Sequence, residues 1–189
     1  MKMTPAILIF GGLMIFWTSV FVAVFLPALT MEDRQSSIWR TLSPEEDAGH
    51  RLYVNNGCSY CHSLFIRNFD WDLGAERITE AGDYHGFSPI ILGTERTGPD
   101  LSQEGGEHPD DWHLAHFYNP RYTRPLSLMP SWEFLGRKDV DLLTAYVQSL
   151  GGKMADQRIA RQNYWRKAAQ EAYAAGPAAN IAWLHARVP

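Results

Sequence analysis

The stretch Cys58-Ser59-Tyr60-Cys61-His62 decides how this chain is read, and it holds the only two cysteines in 189 residues. Two thiols three positions apart, followed at once by a histidine, form the C-x-x-C-H pattern of covalent c-type haem attachment. Each thiol adds to one of the two vinyl groups of a single porphyrin, and the histidine beside them gives the iron its proximal nitrogen. A structural zinc site would want a second Cys or His pair at ligand spacing, and no third cysteine exists. A thioredoxin-like redox pair would want a βαβ setting, whereas Gly- and Pro-bearing loops surround this one. The motif predicts one covalently bound haem c, with Cys58 and Cys61 as its thioethers and His62 as an axial ligand.

Upstream, Ser43-Pro44-Glu45-Glu46 is a helix start, with Ser at the N-cap, Pro at the first helical position and Glu completing a capping box. That helix carries Ala48, Leu52 and Tyr53 inward and ends at Asn55-Asn56-Gly57, which sets the haem motif at a helix C-terminus. Downstream, residues 63–98 show little periodicity. Asp70–Gly74, Gly82–Gly86 and Ser88–Gly93 read as Gly-bounded turns, and so long an irregular segment points to a functional loop.

The element Thr97-Gly98-Pro99-Asp100-Leu101 follows. Pro99 has no N–H, and its carbonyl is free to accept from the second nitrogen of the proximal histidine, although an ordinary proline turn fits the same spacing. Asp110–Tyr118 reads as a short helix capped by Asp110 or Asp111. Its His113 and His116 are either metal or distal haem ligands or members of a polar helix face.

The loop Pro125-Leu126-Ser127-Leu128-Met129-Pro130 offers the distal thioether, and His/Met ligation suits an electron carrier of high potential. Met154 is the other methionine after the haem motif, and position favours Met129. Asp139–Leu150 is a helix with Val140, Leu143, Tyr146, Val147 and Leu150 on one stripe, stopped by Gly151-Gly152. Residues 154–175 form another helix with Tyr164, Trp165, Ala168, Ala172 and Tyr173 as its contact face, and Asn180–Arg187 a last turn or two.

At the other end, Ala6 to Leu29 is an apolar run without a charge. As a helix it spans about 36 Å, enough for a hydrocarbon core of about 30 Å. A cleaved signal peptide has a shorter apolar core and a small-x-small site, which Pro27-Ala28-Leu29-Thr30 supplies poorly. Lys2 before the run and Glu32-Asp33 after it put the N-terminus in the cytoplasm and the rest outside, where haem c is attached. The expected division is a transmembrane anchor over 1–31, a haem domain over 32–152 and a basic helical extension over 153–189. The haem domain carries ten Lys/Arg against nineteen Asp/Glu, and the extension six against two. An acidic haem domain steers basic redox partners, and nothing in the charge pattern points to nucleic acid.

With these residues laid out, the chain resembles the membrane-anchored mono-haem cytochrome c subunit (subunit II) of cbb3-type haem-copper oxidases. The likeness runs from the anchor to about residue 150. It is carried by Gly49 to Arg67, Arg96 to Leu101, Gly105-Gly106, Trp112-His113, Asn119-Pro120-Arg121 and Met129-Pro130. The resemblance implies an all-α protein with a class I-like cytochrome c domain, axial ligation by His62 and Met129, and Pro99 beside the proximal ligand. It also implies that Arg67, Arg96 and Arg121 lie near the haem or the catalytic subunit, where guanidinium forks suit propionates. The partners it implies are a polytopic haem-copper subunit, a further cytochrome c subunit and a donor cytochrome c, at the inner membrane with the haem domain in the periplasm. The chain departs from the family pattern at Leu64-Phe65, where Gln-Met is usual, across Trp71 to Gly93, and at Arg124–Leu128. These departures leave oxygen or nitric oxide open as the partner's substrate.

Overall fold

The computed structural model describes residues 4–31, 34–70, 75–93, 95–177 and 181–182, and no strand occurs among them. The chain forms two compact units, residues 1–34 and 35–189.

The first unit is a helix over Pro5–Thr30, with mean hydropathy 2.4 and no buried residue, long and apolar enough to cross a membrane. It begins as α1 (Pro5–Val20) and ends as α2 (Leu26–Thr30), with a π-helical turn at Phe21–Phe25 between them. Proline supplies the reason for the turn. The ring of Pro27 would clash with a carbonyl four residues back, and the preceding Leu26 N–H bonds the Phe21 carbonyl, five back. Ser19 and Thr30 return their hydroxyls to the carbonyls of Ile15 (2.9 Å) and Leu26 (2.7 Å), so neither presents an unpaired group to an apolar surround. The flanking Glu32-Asp33 lie outside the described residues, as does Lys2.

The second unit is built on α3 (Pro44–Asn55) and α5 (Gly136–Ser149). The capping box expected at α3 is present: Ser43 Oγ accepts from Glu46 N, and the Glu46 carboxylate accepts from Ser43 N. The two helices cross at Gly49, where a Cβ would overlap Leu142 O and lie 2.7 Å from Tyr146 Cβ. A glycine is what lets the backbones meet. Tyr53 of α3 then packs on Val140, Leu143, Tyr146 and Val147 of α5, all buried. Each such side chain contributes about 1.5–3 kcal/mol relative to exposure.

α5 begins three residues before the expected Asp139, because it grows out of a 3-10 turn at Glu133–Leu135 and needs no side-chain cap. α4 (Asp110–Tyr118) packs on α5; its N-cap is Pro109, and both aspartates lie in the first turn, where they complement the helix dipole.

Between α3 and α4 the described chain holds short 3-10 turns at Cys58–Tyr60 and Ala81–Tyr84 and is otherwise irregular, as expected. Side chains stand in for a ladder there. Tyr84 Oη donates to Leu64 O (2.7 Å), and Thr79 Oγ1 accepts from Ile66 N (2.9 Å). Gln103 accepts from Glu76 N (2.9 Å) and donates to Arg77 O (2.6 Å). The loop is long, yet these side chains pair part of its backbone. Of the turn expected at Asp70–Gly74, residues 71–74 lie outside the described residues.

α6 (Lys153–Ala174) corrects one expectation. Its contact with the rest of the unit is not made by Tyr164 and Tyr173, which are exposed. The first turns dock instead: Ala155 is fully buried, and Arg158 donates to Gln103 O (2.7 Å) and pairs with Glu107. Gly105-Gly106 receives them, since a Cβ on Gly105 would lie 2.6 Å from Ala155 Cβ and one on Gly106 2.7 Å from Arg158 Cβ. The expected last turn, 180–187, lies outside the described residues apart from helical Ile181 and Ala182.

Candidate haem site

α3 ends where the haem motif starts. Gly57 takes a left-handed conformation (φ 69°), and a Cβ there would stand 2.8 Å from the ring of Tyr60. The chain then tightens: Cys61 N and His62 N both bond the Cys58 carbonyl, at 3.2 and 3.0 Å. Both cysteines are free thiols, Cys58 half-buried and Cys61 exposed. Burial pushes the Cys58 thiol up to about 12.

His62 is held from two sides. Its Nδ1 lies 2.9 Å from the Pro99 carbonyl, an oxygen that can only accept, so Nδ1 carries the proton and Nε2 keeps its lone pair. Burial lowers the affinity of the ring for a second proton, and the Pro99 bond partly opposes this. Gly98 lies against the ring: a Cβ there would overlap Cε1 and stand 2.7 Å from Nδ1 and 2.8 Å from Nε2. Gly98 N donates to the Cys61 carbonyl (2.9 Å), which joins the two segments directly. Of the two alternatives for Pro99, the histidine partner is the one found.

Met129 is half-buried and packs on the same core cluster as Cys58, Leu101 and Leu114; Met154 is not in that cluster. Arg121 holds the methionine loop. Its Nη1 donates to Ser127 O and Met129 O, both at 3.0 Å, while Nε donates to Asn119 Oδ1 (2.9 Å).

Arg67 and Arg96 come together on another group, the buried carboxylate of Asp70. Arg67 Nε reaches Asp70 Oδ2 at 2.8 Å and Arg96 Nη2 reaches it at 2.9 Å. The Arg67 hydrogen bond, reinforced by Arg96 and opposed by burial, holds the Asp70 carboxyl well below the usual carboxylate range. Arg96 also donates to Ser63 Oγ and Phe65 O, both at 2.6 Å, and so braces the segment that follows His62.

His113 and His116 do not join a metal cluster; among the described residues no group of three or more metal-ligating side chains gathers. His116 Nδ1 bonds Thr123 Oγ1 (2.6 Å), and Trp112 stacks between His108 and His116. His113 is buried, against the polar-face alternative, and burial followed by the nearby His108 and His116 lowers it to about 4.

Gly98, Asp70 and the loop-holding contacts of Arg121 are what sequence reasoning missed. The Gly-Pro doublet was the one available signal, since a residue lying against a ligand ring must lack a side chain. The donor set fits one haem: two free thiols on one turn, an imidazole with an unprotonated Nε2, and a thioether on the same core.

Comparison with protein families supplies the class. A model described as cytochrome C oxidase, mono-heme subunit/FixO, matches residues 1–180. The chain therefore belongs to the FixO family of mono-haem cytochrome c oxidase subunits, in agreement with its resemblance to subunit II of cbb3-type oxidases. Among curated proteins nothing matches the chain.

Proposed function

We propose that this chain is the membrane-anchored mono-haem c subunit that passes electrons, one at a time, from a donor cytochrome c to the polytopic catalytic subunit of a cbb3-type oxidase. The observation that carries this reading is the His62–Pro99 bond with Gly98 against the ring, directly after two free cysteines on one turn. When bound, haem supplies the one-electron iron couple, and the protein supplies ligands and surroundings.

Cys58 and Cys61 would hold the porphyrin to the turn as thioethers, their two thiols matching its two vinyl groups. His62 would hold the iron through Nε2, and the Pro99 carbonyl orients the ring and raises its basicity. Met129 would supply a thioether to the iron, and Arg121 holds its loop through two carbonyls. A His/Met pair raises the reduction potential, as suits delivery to an oxidase. Arg67 and Arg96 act one step back from the ligands: Arg96 braces the backbone after His62, and both share Asp70. Pro5–Thr30 anchors the chain in the inner membrane, N-terminus inside, so that the haem domain works in the periplasm.

Affinity purification of the full chain from membranes in mild detergent tests the reading. It predicts a co-purifying polytopic subunit, haem b beside haem c, and oxygen uptake driven by reduced cytochrome c. Nitric oxide consumption without oxygen uptake would assign the chain to the related reductases. Haem c alone, with no partner, would make it a free-standing tethered carrier.

A further inference from the structure

Asp100 follows the carbonyl that holds His62, and its side chain is only 8% exposed. Oδ2 accepts from Ser63 Oγ (2.6 Å) and Phe65 N (2.8 Å); Oδ1 accepts from Ser102 N (2.8 Å) and Ser102 Oγ (2.5 Å). Four donors on two oxygens is the hydrogen bonding of a carboxylate without a proton of its own. Backbone bonds from Gly98 N to Cys61 O (2.9 Å) and Leu101 N to Ser63 O (2.8 Å) flank this clamp. Residues 98–102 are thereby laced to 61–65 on both sides of the His62–Pro99 bond. An amide could not repeat the pattern, because its NH₂ end would face two donors.

Its charge is also only partly answered. The nearest guanidinium nitrogen of Arg96 stands 3.7 Å away and is closer to Asp70 (2.9 Å), which Arg67 also engages. The two arginines balance the two aspartates as a group, and removal of Asp100 alone would leave one positive charge in excess beside His62. Ferric haem carries one more positive charge than ferrous haem, and a buried anion near its ligand favours the ferric form.

We infer that Asp100 is a positioning residue that fixes the Pro99 carbonyl on His62 and, as a buried anion, holds down the reduction potential of the haem. The inference rests on the haem reading proposed above.

The test is an optical redox titration of haem c in the detergent-purified complex containing the full chain, for wild type, Asp100→Asn, Arg96→Gln and Ser63→Ala. Asp100→Asn should shift the oxidised-to-reduced ratio about tenfold toward reduced, which is about 59 mV upward for a one-electron couple. Arg96→Gln, which leaves the anion less opposed, should move the potential downward. Ser63→Ala removes two hydrogen bonds, the one it gives Asp100 and the one it takes from Arg96, and no charge, so it should lower the melting temperature and leave the potential in place. An Asp100→Asn protein that carries haem at the wild-type potential would overturn the inference, as would shifts of one sign in both charge variants. Should Asp100→Asn fail to load haem, Arg96→Gln decides: a lowered potential upholds the inference, and an unchanged or raised one overturns it. A wild-type chain without covalent haem would instead bring down the reading beneath it, and the inference with it.

Discussion

Gly98→Ala puts one methyl group where the structure has no room for it. The new Cβ would stand 2.7 Å from Nδ1 and 2.8 Å from Nε2 of His62, and closer still to Cε1. Comfortable contact is about 3.5 Å, so ring and backbone must part by at least roughly 0.8 Å. Added to the 2.9 Å bond between Nδ1 and Pro99 O, such a shift exceeds hydrogen-bond range. Overpacking of this kind costs about 1–3 kcal/mol and the lost bond about 1 kcal/mol, together about 2–4 kcal/mol. At about 2–4 °C per kcal/mol for a chain of this size, the melting temperature should fall by about 4–16 °C. The assay is thermal unfolding of the haem-loaded full chain in detergent, followed by far-ultraviolet circular dichroism, with the Soret band recorded in parallel. The variant should melt early and show a perturbed Soret band before unfolding. A melting temperature and Soret band equal to wild type would refute the claim that Gly98 exists to seat the His62 ring.

Arg121→Ala removes both bonds to the carbonyls of Ser127 and Met129; because the side chain is exposed, the global loss should be no more than about 1 kcal/mol. Its local effect should be larger, with the far-red methionine–iron band weakened and carbon monoxide binding to ferrous haem faster. Asp70, depressed in the folded protein by Arg67 and then Arg96, contributes stability that is present above the unfolded carboxylate value of about 3.9 and is lost as pH falls through its folded value. Asp70→Asn should therefore lower the melting temperature at pH 7 and flatten its acid limb below about pH 4. His113, buried and lowered to about 4 from an ordinary 6.5, contributes stability that is lost as pH falls through that window. The loss amounts to about 3 kcal/mol, and His113→Leu should remove that slope between about pH 6.5 and 4 in melts run across pH.

The parts of the fold legible in the sequence were those governed by local rules. Ser43 and Glu46 cap α3 as their types and spacing require, and the stripe from Val140 to Leu150 is the buried face of α5. Cys58, Cys61 and His62 stood out in the sequence because the covalent haem attachment proposed for them demands that spacing.

What escaped was decided by residues distant in sequence. His113 sits on a short helix of little amphipathic character, so periodicity could not assign it inward or outward. The aromatic side chains Tyr164 and Tyr173 suggested the contact face of α6, yet docking was settled by Gly105-Gly106, whose missing side chains admit Ala155 and Arg158. Arg67 and Arg96 were matched to propionates by resemblance, while the structure pairs both with Asp70, a loop residue that no motif singled out. In each case the decisive fact is a close approach, and close approach leaves its mark on sequence only as a glycine or a charge whose partner is unnamed.

The most direct test of the account is the visible spectrum of the full chain purified from its native membrane, before and after denaturation and acid-acetone extraction, in wild type and Met129→Ala. The account predicts one haem per chain that resists extraction, with the far-red methionine–iron band present in wild type and absent from the variant. Haem that extracts freely, or a methionine–iron band that survives Met129→Ala, would contradict it.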